Sequence, residues 1–220
     1  MSAAKRIRVL VVDDQELFRS GVGMLIESQR DLHLVASVGT GREAIAAVAA
    51  HRPDVVLMDI RMPGLDGLAA TELILATTTE PPPRVLVVTT FRRDEAVARA
   101  IRAGASGFVT KDAAPEFLLA AIRTVADGQA VIAPAATFDL LRQFGGGARE
   151  ADQGAIAALS AREKEIFLLA AKGLSNAEIA TSAFVEETTV KTHVSSILAK
   201  LTLRSRVQLV SFAWENGLVG

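Results

Sequence analysis

No cysteine occurs in the 220 residues of this chain. A disulfide framework and a thiolate metal site are both excluded, stability must come from packing, and a reducing cytoplasm suits the composition. Net charge is almost absent too: 24 Lys and Arg face 25 Asp and Glu, a formal charge of −1. Any nucleic-acid role therefore has to rest on a local basic patch, since overall basicity cannot supply it. The first residues run into a short apolar segment with turn residues after it, and neither a cleavable signal nor an apolar span of membrane length follows. The expectation is a soluble, cytoplasmic protein with no membrane partner.

What is present is ordinary core material. Half of the residues are hydrophobic and 22% are charged, which suits packed globular domains and does not suit a disordered chain. The length favours two domains. Residues 5–130 alternate short β-branched apolar runs, at 7–12, 32–38, 55–58, 85–89 and 108–110, with helical periodicity at 16–29, 42–50, 68–76, 94–102 and 115–126. That alternation predicts an α/β fold: a doubly wound, five-stranded parallel sheet with ligands beyond the carboxyl ends of the strands. Residues 131–158 read as a linker, with a short helix at 136–144 and then Gly145, Gly146 and Gly147. Residues 159–220 carry no strand signal and predict a small all-α domain of three or four helices.

Asp13 and Asp14 follow the first predicted strand and Asp59 follows the third, so a doubly wound sheet can bring three carboxylates to one edge. Such anions repel one another, and a hard divalent cation with oxygen ligands, Mg²⁺ in a cell, relieves the repulsion. Thr89 at the end of the fourth strand and Lys111 after the fifth add a hydroxyl and a fixed cation to the same rim. An ammonium and a hydroxyl opposite a carboxylate can grip phosphoryl oxygens, which makes Asp59 a nucleophile toward a phosphoryl donor.

The segments VVDDQ, LMDIRMPGLDG, VVTTF and GFVTKD, in this order and spacing, resemble the receiver domain of response regulators, a flavodoxin-like fold. The resemblance implies that Asp59 accepts phosphate from a sensor histidine kinase. It implies that Asp14 and Asp59 bind Mg²⁺ together with the Arg61 main-chain carbonyl, and that Asp13 assists through water. It places Thr89 and Phe108 at switch positions and Lys111 against the phosphoryl group. Asp66 reads as a turn residue in the same loop.

Two competing readings lose weight on particular residues. GTGREA at 39–44 superficially satisfies a dinucleotide fingerprint, but it follows the second strand and not the first. An aspartate-nucleophile phosphatase needs a general acid two residues after Asp59, where Arg61 stands, so turnover of external substrates is not expected and the protein is read as no enzyme.

From Thr188 to Trp214 the chain holds Lys191, Lys200, Arg204 and Arg206 and no carboxylate, a segregated basic stretch. Ser160 with Glu163, and Ser175 with Glu178, form capping-box patterns at two helix starts. NAEIA before a turn and TVKTHV after it resemble the helix-turn-helix of NarL/FixJ, or LuxR-type, regulators. By that resemblance a helix at about 187–201 enters the major groove of promoter DNA, with Thr188, Lys191, Thr192, Ser195 and Ser196 facing outward and Lys200 and Arg204 adding basic contacts. In the last helix Leu209, Val210, Ala213 and Trp214 can pack inward or against a second copy, and the resemblance favours a dimer contact. The expected protein is thus a phosphorylation-controlled transcription regulator that pairs into a homodimer when phosphorylated.

Overall fold

The computed structural model describes residues 6–77, 82–90, 94–131 and 152–219. The helix expected at 136–144 and the glycine run after it lie outside the described residues. The chain divides into two compact units, residues 1–127 and 128–220.

The first unit is built on strands β1 (Ile7–Val12), β2 (Leu32–Val38), β3 (Val55–Asp59), β4 (Arg84–Thr89) and β5 (Gly107–Thr110). They alternate with helices α1 (Glu16–Glu27), α2 (Gly41–His51), α3 (Gly67–Thr77), α4 (Asp94–Ala103) and α5 (Pro115–Ala126). Every pairing is parallel, in the order β2-β1-β3-β4-β5. The doubly wound sheet read from the alternation is therefore the one observed, and burial explains its strand composition. Val9 to Val12 and Val55 to Met58 are fully buried because helices cover both faces of the sheet. Local chemistry sets the helix starts: the Thr40 hydroxyl accepts from the Glu43 amide at 3.2 Å ahead of α2, and Pro115 opens α5.

The order places β1 beside β3 at the point where the chain switches direction across the sheet. Loops that leave two adjacent strands in opposite directions open a crevice between them, and ligands bind in such a crevice. Asp13 leaves β1 there, and Asp59 ends β3.

The second unit opens with a 3₁₀ turn (Gln153–Ile156) and continues with α6 (Ala161–Ala171), α7 (Asn176–Ala183), α8 (Glu187–Lys200) and α9 (Arg206–Glu215). Both capping boxes expected from the sequence form, at Ser160 with Glu163 and at Ser175 with Glu178. Phe167 and Phe212 meet edge to face at 6.2 Å, inside a core shared by α6, α7, α8 and α9. Between α7 and α8 the chain turns at Phe184, whose φ of 54° is left-handed and whose side chain is exposed. Among the described residues no helix is long and apolar enough to cross a membrane.

Of the packings open to the last helix, the inward one is seen for Leu209 and Ala213, which lie in the domain's own core; Val210 is buried and Trp214 is half-buried. Arg206 is buried too, so it adds nothing to the surface basic patch.

Candidate phosphoryl-acceptor pocket and DNA-binding helix

Three strand ends build the first site. Asp13 follows β1 and is fixed three ways: its amide donates to the Val38 carbonyl at 3.1 Å, its Oδ1 accepts from the Gln15 amide at 2.9 Å, and its carbonyl accepts from Arg19 Nη1 at 2.6 Å. Asp59 is the last residue of β3 and pairs with Val88 of β4, so the sheet itself holds the carboxylate that the sequence had placed just beyond the strand. The Arg61 amide points at Asp59 Oδ1 from 3.4 Å. Lys111 follows β5, where its amide donates to the Thr89 carbonyl at 2.9 Å.

These anchors bring the side chains together. Oxygens of Asp13, Asp14 and Asp59 all lie within 4.8 Å of one another. The Lys111 ammonium is 2.5 Å from Asp13 Oδ2 and 2.9 Å from Asp59 Oδ2. Asp13, Asp59 and Thr89 are buried, whereas Asp14 faces solvent at the mouth. Phe108 is half-buried against the core on β5, and Arg61 is exposed.

Burial pushes the Asp59 carboxyl above its ordinary 3.8, the Lys111 ammonium opposes that push, and the Asp13 charge adds to it. A carboxylate held that way is a more basic, more nucleophilic oxygen. Burial works to lower Lys111, but its bonds to Asp13 and Asp59 prevail, so it stays a cation throughout the physiological range. Three carboxylates and one ammonium leave a surplus of negative charge in a partly desolvated crevice. Hard oxygen donors with that surplus fit a divalent cation such as Mg²⁺.

The second site is the outer face of α8. Thr188, Thr192 and Ser195 are exposed along it, and Arg204 is exposed just beyond. Lys191 is half-exposed and lies 3.5 Å from Glu187 one turn earlier. The Thr192 hydroxyl donates to the Thr188 carbonyl at 3.0 Å, which leaves its methyl and its lone pairs facing out.

Ser196 is half-buried and Lys200 is exposed, and both bond to a neighbouring helix. Glu163 of α6 accepts from Ser196 Oγ at 2.7 Å and from Lys200 Nζ at 2.7 Å, while its Oε2 also accepts from the Ser160 amide at 2.8 Å. Because Glu163 is buried, these bonds satisfy a carboxylate that would otherwise be stranded, and they hold it well below the usual carboxylate range, Lys200 contributing most. One side chain thus caps α6 and ties α6 to α8. The capping pattern was visible in the sequence, but the second half of this bond network was not, since 33 residues separate Glu163 from Ser196. Arg206 Nη1 likewise donates to Asn176 Oδ1 at 2.6 Å and Nη2 to the Leu174 carbonyl, which fixes α9 against the start of α7.

Comparison with known proteins bears on both sites. Residues 9–123 match the family model described as "Response regulator receiver domain", and residues 157–213 match "Bacterial regulatory proteins, luxR family". The chain belongs to the response regulators. Members of this family that carry a luxR-type domain are transcription regulators of two-component systems and not enzymes. The chain is 37% identical over 215 residues to YxjL of Bacillus subtilis, an uncharacterized transcriptional regulatory protein, covering 97% of this chain and 98% of that one. It is 36% identical over 213 residues to the response regulator protein VraR of Staphylococcus aureus, covering 97% and 99%. Among solved structures, the response regulator ChrA of a heme-sensing two-component system is similar at 33% identity and a TM-score of 0.52, covering 97% of this chain and 99% of that one. Receiver domains have a histidine kinase as partner and generally bind Mg²⁺ at an acidic pocket, and luxR-type domains bind DNA.

Proposed function

We propose that Asp59 accepts a phosphoryl group from a sensor histidine kinase in the cytoplasm, and that its phosphorylation alters dimerisation and promoter binding by α8. The observation that carries this reading is the Lys111 ammonium shared between Asp13 and Asp59 at 2.5 and 2.9 Å. A cation there can pass from a carboxylate oxygen to a phosphoryl oxygen with little displacement.

Asp13, Asp14, Asp59 and the Arg61 carbonyl would hold Mg²⁺, which supplies positive charge to the phosphoryl oxygens. In the transfer, an Asp59 carboxylate oxygen bonds to phosphorus as the bond from phosphorus to the donor breaks. The kinase imidazole, or acetate when the donor is acetyl phosphate, departs with its electron pair. Asp13 and Lys111 orient Asp59 before the step. Afterwards Lys111 and the Thr89 hydroxyl meet the phosphoryl oxygens, and Phe108, which lacks a hydroxyl, follows by packing alone.

The added charge of about −2 biases the β4, β5 and α4 region toward a second arrangement that favours pairing of two chains. A paired protein presents two copies of α8 to two half-sites. On α8 the direct contacts fall to Thr188, Lys191, Thr192 and Ser195, with Arg204 nearby.

Incubation with acetyl phosphate and Mg²⁺ should label the wild-type protein with base-labile phosphate and should not label Asp59→Ala. Labelling retained by Asp59→Ala would remove Asp59 as the acceptor. DNA affinity and oligomeric state should both differ with and without the donor; identical values would favour a regulator that binds DNA independently of phosphate.

A further inference from the structure

Phe18 of α1 lies beside the acceptor pocket, and the Lys111 ammonium stands 4.8 Å from the centre of its ring. The Lys111 side chain is only 7% exposed, and its ammonium donates to Asp59 Oδ2 at 2.9 Å and pairs with Asp13 Oδ2 at 2.5 Å. An ammonium has three N–H groups, and one of them donates to Asp59. The face of an aromatic ring carries the negative part of its quadrupole and attracts a cation without competing for its hydrogen bonds. The ring therefore adds a third hold on Lys111 beside the two carboxylates.

Phe18 is half-buried, and it lines, together with Lys111, a groove of about 450 Å³ that Leu17, Leu25, Pro115 and Leu118 also border. An aliphatic side chain at this position would keep the groove apolar but would take the ring face away from the ammonium.

We propose that Phe18 is a positioning residue for phosphoryl transfer, its aromatic face keeping the Lys111 ammonium in place while that ammonium exchanges an Asp59 oxygen for a phosphoryl oxygen. The inference rests on Asp59 being the acceptor. No proton moves to or from Phe18 or Lys111 in this exchange: the ammonium keeps its three protons and changes one acceptor, and the only covalent change is transfer of the phosphoryl group from the donor atom, an imidazole nitrogen of the kinase or an oxygen of acetyl phosphate, to an Asp59 oxygen.

The test is a series in which Phe18 of the full-length protein is replaced by mono-, di- and trifluorophenylalanine, which weakens the quadrupole stepwise at nearly constant shape. The rate of phosphate incorporation from acetyl phosphate with Mg²⁺ should fall with each fluorine, to about tenfold below wild type. Phe18→Trp should keep the rate, and Phe18→Leu should fall to the level of the trifluoro protein. A flat fluorination series in a protein whose wild-type form labels normally would overturn the role of Phe18 and leave Asp59 as acceptor untouched. The contact has its own readout in the unphosphorylated protein: ring current should shift the Lys111 ε-methylene protons upfield, and Phe18→Leu should abolish the shift. Lys111 resonances unmoved by that substitution would also overturn the proposal. A wild-type protein that takes up no phosphate would instead refute the acceptor reading, and the role of Phe18 with it.

Discussion

Gly67 packs so closely beneath Asp59 that a β-carbon on it would lie 1.8 Å from the Asp59 carbonyl oxygen. The chain that leaves β3 thus returns to start α3 directly against Asp59, and the Gly67 amide donates to the Ile60 carbonyl at 2.9 Å. Backbone is the obstacle, so a side chain at this position displaces Asp59 itself. Gly67→Ala should destabilise the receiver by about 1–3 kcal/mol in urea unfolding and slow labelling by acetyl phosphate. Gly21→Ala is the matched control: its β-carbon would meet nothing within 4 Å, so stability should hold or rise slightly.

Divalent metal should stabilise the first unit. A ligand that binds only the folded state at a hundredfold excess over its Kd contributes about 2.7 kcal/mol. Millimolar Mg²⁺ should raise the melting temperature, EDTA should reverse the rise, and Asp14→Asn should blunt it. Asp14 is the exposed member of the acidic group, so its loss removes a ligand without emptying the core. An Mg²⁺ response unchanged in Asp14→Asn would count against this site.

The folded-state pKa of Glu163 is depressed below its ordinary 4.5, chiefly by Lys200 and then by Ser196 and the Ser160 amide. A depressed carboxyl contributes stability that is fully present above the unfolded value and is lost as pH falls through the folded one. The second unit should therefore hold its stability from neutral pH down to about 4.5 and weaken progressively below it. Glu163→Gln should be less stable at neutral pH and should show a flatter acid limb. Trp214 fluorescence follows the transition, since the chain has a single tryptophan.

Lys191 and Lys200 should behave differently toward DNA although both are basic residues of α8. Lys191→Ala should weaken binding and lower the slope of log affinity against log salt by about one, as expected for one lost phosphate contact. Lys200 is tied to Glu163 at 2.7 Å, so Lys200→Ala should leave the salt slope nearly unchanged and should show its effect in stability. Equal slopes for the two variants would contradict this division.

Leu209 is wholly buried beneath α9. Leu209→Ala should cost the second unit about 2–5 kcal/mol, read by Trp214 fluorescence, and should leave the receiver transition in place. A change in dimerisation without loss of stability would support the interface that the resemblance favoured.

Much of the architecture was legible in the residues because it depends on local patterns. Apolar runs such as VLVV and VVLM announced strands covered on both faces, and Ser160 with Glu163 announced a helix start. The acceptor pocket was legible for a related reason: in a doubly wound sheet, residues that end strands share an edge, so Asp13, Asp59, Thr89 and Lys111 could be brought together from position alone. The pattern was mute wherever one side chain had two possible partners. Ser196 and Lys200 both bond to Glu163 of a distant helix, and Leu209 and Ala213, whose spacing suits either a core or an interface, pack into the domain's core.

The order of residues alone determined which segments form strands and helices and which acidic and basic groups end at the sheet edge, because periodicity and strand endings are properties of neighbours in the chain. Only the tertiary structure decided which partner each polar group takes. It set Lys111 between two carboxylates and an aromatic ring, gave Glu163 a lysine from a distant helix, and pressed Gly67 against Asp59. Those choices depend on distances between elements far apart in the chain, which packing alone sets.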